Sequence, residues 1–294
     1  MKVSFIICTS STKDFVKYDP KSWPERDYEL EECIDNHVNS LLEQICKIPV
    51  DKEIILVDNT YDFKQTFYDD CIKIVPGFGY LLENDAFDFE KFSHISDLKM
   101  RKNNKIIKNK KIKVNHTESN ALSLNIGLQH VKGDYIILQH NDSSYLPSYY
   151  GSYSFIEDSI ELLEQKGYEF ITVDKKPHKD VTPKHIPYFN DAYWFLCRSD
   201  FYKKHGIWVD WLRGDCNHLA TITCYEKNLP YLNLPGYYES DPMEAKAWLL
   251  YNKKYFEPEV ETNIHYLNGK PFFEHHKGGT GLRNTLKRKK WGLS

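Results

Sequence analysis

The sequence has no Cys-x-x-Cys pair, although it holds seven cysteines: Cys8, Cys33, Cys46, Cys71, Cys197, Cys216 and Cys224. An odd, scattered set supplies neither the even framework of a disulfide-stapled secreted domain nor the paired spacing of a zinc finger. Reduced thiols in a cytosolic setting are therefore expected. No window approaches the ~18 apolar residues of a membrane span. The opening Met-Lys-Val-Ser-Phe-Ile-Ile-Cys turns polar too soon for a signal peptide, so structure is expected from the first residues. Charge of one sign is also lacking, and a formal net charge of -3 argues against a general nucleic-acid binder. There is no internal repeat and no clean linker, and 294 residues give ample core for one large α/β domain.

What the chain does contain is a succession of short apolar runs that end in polar clusters. The centre of the pattern is residues 133–147, Gly-Asp-Tyr-Ile-Ile-Leu-Gln-His-Asn-Asp-Ser-Ser-Tyr-Leu-Pro. After a glycine turn, residues 135–138 are apolar and β-rich, and the run stops at His140, Asn141, Asp142 and Ser143. This predicts a buried strand that delivers polar side chains to its carboxyl end, the edge at which open α/β sheets bind ligands. Residues two apart on an extended segment share a face, so His140 and Asp142 can both face one ligand. An imidazole and a carboxylate so placed suit a divalent metal carrying a diphosphate. A polar turn after a core strand is the plainer reading.

Residues 3–8 predict a first buried strand, followed by Thr9-Ser10-Ser11-Thr12, a loop of small hydroxyl residues that lets backbone amides approach a ligand. Residues 13–28 read as irregular. From 29 to 48, Leu30, Cys33, Ile34, Val38, Leu41, Leu42 and Ile45 keep helical spacing until Pro49 ends the helix. Residues 53–57 predict a second buried strand ending at Asp58-Asn59-Thr60, which completes a right-handed parallel βαβ unit. Residues 61–111 carry no clear pattern, and the basic stretch at 99–113 is either a solvated loop or a phosphate-facing patch. A short strand at 112–114, a helix at 119–131 that includes Asn125 and Gly127, a helix at 154–166 and a strand at 170–173 continue the alternation. That alternation is the signature of a doubly wound sheet. Beyond it come an aromatic strand at 192–198, helices at 199–205 and 218–227, a strand at 231–234 and a basic tail at 282–290.

Taken in order, several segments resemble inverting GT-A glycosyltransferases of the family 2 type. Val-Ser-Phe-Ile-Ile-Cys-Thr-Ser at 3–10 resembles V-S-I-I-I-P-T-Y, and Ser-Leu-Leu-Glu-Gln at 40–44 resembles S-L-L-x-Q. Glu-Ile-Ile-Leu-Val-Asp-Asn at 53–59 is similar to E-I-I-V-V-D-N, and 121–133 looks like the A-x-N-x-G helix, with Asn125 and Gly127 on its Asn and Gly. Residues 133–147 look like G-E-Y-I-x-F-L-D-x-D-D-x-x-x-P, with Pro147 in place. The resemblance implies a GT-A fold: an α/β, Rossmann-like, mostly parallel sheet flanked by helices in residues 1–236. Residues 237–294 are expected as a C-terminal extension that packs on the same domain and closes the site.

The resemblance also implies roles. Thr9 and Ser10 would line the base pocket, Asp58 would hydrogen-bond the base, and Asn125, His140 and Asn141 would join the donor contacts. Asp142 falls on the last Asp of the D-x-D motif that binds Mn²⁺ or Mg²⁺ on the donor diphosphate. His140 stands where that motif has its first Asp, which changes charge and metal preference. His276, beside the Gly278-Gly279 loop, would join Asp142 and His140 at the metal, unless it is simply exposed. The base for the acceptor hydroxyl is expected from Asp215, the nearest match to the family's G-E-D, with Asp210 second; a helix N-cap is the alternative for Asp215. Trp194, Trp208 and Trp211 read as core or as faces that stack on sugar.

The expected activity is metal-assisted, inverting transfer of a sugar from a nucleotide-diphosphate donor to a hydroxyl of a glycan, glycoprotein or glycolipid acceptor. The expected setting is cytoplasmic, with no nucleic-acid partner and with peripheral membrane contact through the basic tail or a solvated tail. A sugar-nucleotide or glycan-binding protein that kept the fold and lost turnover is the alternative. A nucleotidyltransferase is disfavoured, because residues 9–12 contain none of the Gly, Lys and Arg such a loop needs.

Overall fold

A computed structural model of the chain describes residues 1–18, 25–93, 95, 116–173, 193–210, 217–239 and 261–277. Strand β1 (Lys2–Thr9) is buried from Val3 onward, as its unbroken apolar run requires. It pairs in parallel with β2 (Asp51–Asp58), which pairs in parallel with β3 (Ile72–Pro76). On its other side β1 pairs in parallel with β4 (Tyr135–Gln139). Three polar residues later comes β5 (Ser143–Tyr145), then β6 (Phe170–Val173), β7 (Trp194–Arg198) and β8 (Leu232–Leu234). The seven-stranded sheet runs β3-β2-β1-β4-β7-β6-β8. Strand β7 lies antiparallel between β4 and β6, while β6 and β8 are parallel. The fold is thus an α/β, mostly parallel sheet of the GT-A-like, Rossmann type.

Helices cover both faces. Helix α1 (Thr12–Tyr18) corrects the irregular reading of 13–28, and α2 (Tyr28–Cys46) fills the segment with helical spacing. The N-cap of α2 is Asp27, whose carboxylate accepts from the Leu30 amide at 3.1 Å. Next come α3 (Phe78–Glu83), α4 (His116–Leu128), α5 (Pro147–Tyr150), α6 (Phe155–Lys166), α7 (Phe201–His205) and α8 (His218–Glu226). Val3, Phe5 and Ile7 of β1 pack with the apolar faces of α2 and α6, while Ile6 and Cys8 pack with α4 and α3. Strand β3 and helix α3 lie inside 61–111, where no pattern was expected. The strand at 112–114 and the tail at 282–290 lie outside the described residues.

A second sheet closes the molecule at one end of the first. Strands β9 (Gly236–Glu239), β10 (Glu261–Leu267) and β11 (Lys270–Lys277) join β5 in the antiparallel order β5-β11-β10-β9. Asn268 and Gly269 make the two-residue turn between β10 and β11, both with positive φ (52° and 74°). That is the geometry of a type I′ hairpin, which Asn-Gly favours because both central residues must be left-handed. Leu267, Phe272 and Phe273 of this hairpin are fully buried in the same core as β1 and α2.

Candidate functional site

The carboxyl ends of β1, β2 and β4 lie at one edge of the sheet, as parallel pairing dictates. At the ends of β1 and β2 is an open cleft of about 190 Å³, smaller than the ~300–1,000 Å³ of typical small-molecule sites. Thr9, Ser10, Asp35, Asp58 and Lys64 are among the residues that line it. Asp58 is almost wholly buried and is used by its own loop: one carboxylate oxygen accepts from the Thr60 amide at 3.1 Å, the other from the Phe63 amide at 2.8 Å. It therefore shapes the cleft wall. Burial pushes its carboxyl up, and those amide bonds pull it back. The Ser10 hydroxyl donates to Asp14 at 2.8 Å, and burial pushes Asp14 up to about 6. Burial, with the charge of Asp58 nearby, pushes Asp35 up to about 7. Neither Asp14 nor Asp35 stood out in the sequence, because isolated acids on helix surfaces carry no pattern.

The second part of the site stands at the end of β4. Gln139 donates to Ser143 Oγ at 3.0 Å, and Ser143 Oγ donates to the His140 carbonyl at 2.6 Å, so residues 140–142 form a tight turn. This turn buries Asp142, and pairing of β5 with β11 sets His275 opposite Ser143. His275 Nε2 is 3.2 Å from Asp142 Oδ1, and His140 Nδ1 is 3.7 Å from the same oxygen. The Tyr193 ring stacks on His275 with centroids 3.7 Å apart and presents its edge to His140 at 4.6 Å. Burial alone would raise the Asp142 carboxyl, but the His275 and His140 imidazoles outweigh it and hold the group well below the usual carboxylate range.

Asp142 Oδ1 and both His275 nitrogens are buried without a hydrogen bond of acceptable geometry. Such groups cost free energy unless something satisfies them. One ligand atom each from His140, Asp142 and His275 lie within 4.8 Å of one another, which is the spacing of a metal-ligand set. The residues present therefore fit a cation.

His140 and Asp142 come together as their spacing predicted, and the third member of the cluster is His275, one residue before the expected His276, whose side chain is not among those described. Asn125 takes a different part from the donor contact expected of it: buried in α4, it donates to the Ala121 and Val209 carbonyls at 2.8 and 2.7 Å and accepts from the Val209 amide. Its amide ties α4 to the segment before Asp210. Asn141 lies half-buried in the turn between β4 and β5. Asp210 caps α8, accepting from the Leu219 amide at 2.7 Å. Asp215 and Trp211 lie outside the described residues. Trp194 is fully buried and donates to the Tyr145 hydroxyl at 3.2 Å, so for this Trp the core reading holds.

No protein-family model matches the chain, and no curated protein matches it. Among solved structures it is similar to Staphylococcus aureus TarS residues 1–349 in complex with UDP-GlcNAc, at 11% identity and a TM-score of 0.36, covering 76% of this chain and 53% of that one. The Pyrobaculum calidifontis mannosyltransferase PcManGT with GDP-Man and Mn²⁺ is 12% identical with a TM-score of 0.38, over 79% of this chain and 54% of that one. Glucosyl-3-phosphoglycerate synthase from Mycobacterium tuberculosis is 11% identical with a TM-score of 0.40, over 80% and 70%. The chain thus spans about half the length of the TarS fragment. At these scores, a functional assignment rests on the side chains themselves.

Proposed function

We propose that the protein is a glycosyltransferase that moves a sugar from a nucleoside-diphosphate donor to a hydroxyl of a glycan or other acceptor. The observation that carries this reading is the buried Asp142 carboxylate flanked by His140 and His275, at the same sheet edge as the cleft at the ends of β1 and β2. In it, Thr9, Ser10 and Asp35 border the nucleoside, and Asp58 holds the loop that walls it. His140, Asp142 and His275 would hold a divalent cation, and two imidazoles with one carboxylate favour Mn²⁺ over Mg²⁺, which prefers oxygen ligands and its own waters. When bound, such an ion neutralises charge that builds on a departing diphosphate. Tyr193, stacked on His275, fixes that ring and shields the site on one side. Asp215, the nearest match to the family's G-E-D, is the candidate to take the acceptor proton as the hydroxyl attacks with inversion, with Asp210, which accepts from the Leu219 amide, second.

Thermal-shift titration with UDP-, GDP- and dTDP-sugars, with and without Mn²⁺, tests the reading, since a ligand of the native state raises Tm by mass action. Expected are a Mn²⁺-dependent shift for one nucleotide and acceptor-dependent release of the nucleoside diphosphate. In Asp142→Ala the Mn²⁺ dependence should vanish and transfer should fall by at least about 100-fold, given that even indirect metal partners are worth ~10–100-fold. Pyrophosphate release from a nucleoside triphosphate and a sugar phosphate would instead make the chain a nucleotidyltransferase. Donor binding without turnover would make it a binding protein.

A further inference from the structure

At the opposite, amino-terminal edge of the sheet, the fold brings together two cysteines that are 25 residues apart in sequence. Cys46 is the last residue of α2, and Cys71 immediately precedes β3. Their sulfurs are 3.5 Å apart, and both side chains are half-buried. A tight turn adds a carboxylate: Asp69 Oδ1 accepts from the Cys71 amide at 2.9 Å, and the Ile72 amide donates to the Asp69 carbonyl at 3.0 Å. One ligand atom each from Cys46, Asp69 and Cys71 lie within 4.8 Å of one another. Residue spacing gives no sign of this pair, because the contact is made by the tertiary fold.

We infer that Cys46, Asp69 and Cys71 form a second metal site, selective for a thiophilic divalent ion such as Zn²⁺, with solvent completing a tetrahedral set. Two Zn–S bonds of ~2.3 Å at a tetrahedral angle hold their sulfurs about 3.8 Å apart, close to the separation already present. A disulfide would require closure to ~2.0 Å and has no use for the carboxylate. Binding expels one proton from each thiol to solvent and transfers no electrons. The ion would clamp the end of α2 to the end of the 59–71 segment. Earlier in that segment Asp62, Phe63 and Lys64 line the donor cleft, and Asn39 of α2 grips the Lys64 carbonyl and the Thr66 and Phe67 amides. A bound ion would therefore fix the far end of the segment that walls the cleft.

Titration of the reduced, metal-free full chain with Cd²⁺ tests this, followed by the ultraviolet thiolate-to-Cd²⁺ charge-transfer band. That band is silent for imidazole and carboxylate ligands, so the Asp142 site does not contribute. A band saturating at one Cd²⁺ per chain, displaced by Zn²⁺, is expected. It should be lost in Cys46→Ser and in Cys71→Ser, and Asp69→Asn should weaken binding by about tenfold or more. An unchanged band in both serine variants would overturn the assignment. So would recovery of a Cys46–Cys71 disulfide from protein held in a glutathione buffer with Zn²⁺ present.

Discussion

Asp14, which accepts from the cleft-lining Ser10, shows how a single buried carboxyl can cost stability. It is 3% exposed, accepts from Ser10, and is held up to about 6 by burial. In the unfolded chain it ionises near its ordinary 3.8, so between the two values the native state keeps a proton that the unfolded state has lost. Stability then falls as pH rises through that window, and the whole penalty stands above about pH 6. Asp14→Asn keeps the acceptor for Ser10 and removes the penalty. Urea melts should show it stabilising by up to about 3 kcal/mol near pH 7.5 and by almost nothing near pH 4. Equal effects at both pH values would mean that the Asp14 carboxyl ionises alike in the native and unfolded states. The same scale shows why His275 was hard to read. Choosing between it and His276 is a matter of strand parity, and parity depends on register against β5, which is set by the Ser143↔His275 pairing across more than a hundred residues of sequence.

Among the elements, α2 does the most to join the two sheets. Gln44, the last residue of the Ser-Leu-Leu-Glu-Gln match, accepts from the Tyr145 amide at 3.0 Å, and His37 Nε2 lies 2.9 Å from the Ser143 carbonyl. One helix thus holds both ends of β5, the strand that follows Asp142. Helix α4 packs on the other face against β1 and β2, and there Gly127 has a steric cause: a Cβ would stand 2.5 Å from Ile6 Cγ2 and 3.0 Å from Val57 Cγ2. Gly127→Ala gains at most ~1 kcal/mol of helix propensity but overpacks the core at a cost of ~1–3 kcal/mol. Denaturant melts should show a net loss of about 1–2 kcal/mol. Adding Ile6→Ala should recover part of it, because the two residues share one contact. A stabilised single variant would show that α4 can move off β1 without penalty.

At the scale of the molecule, the buried strands β1, β2, β4 and β6 and the helices α2, α4 and α6 were legible, because each carries a full apolar run or stripe. Edge strand β3, half-exposed along most of its length, was not. The reversal of β7 was also invisible, since an apolar run has no direction. The β10–β11 hairpin does carry a local mark in the sequence, the Asn268-Gly269 turn. Its place in the core bears on the expectation of a 1–236 domain with an extension. Phe272 and Phe273 are fully buried against Tyr145 and Trp194, and β11 is the partner of β5 in the second sheet. Losing two such phenylalanines costs ~3–5 kcal/mol each, comparable with the ~5–15 kcal/mol stability of a whole domain. A chain ending at residue 236 should therefore lose its near-ultraviolet circular dichroism, bind a hydrophobic dye and melt without cooperativity, while retaining helix signal. A cooperative melt with native near-ultraviolet dichroism would show instead that the first sheet folds alone, and that the hairpin brings His275 to Asp142 as a later, separable step.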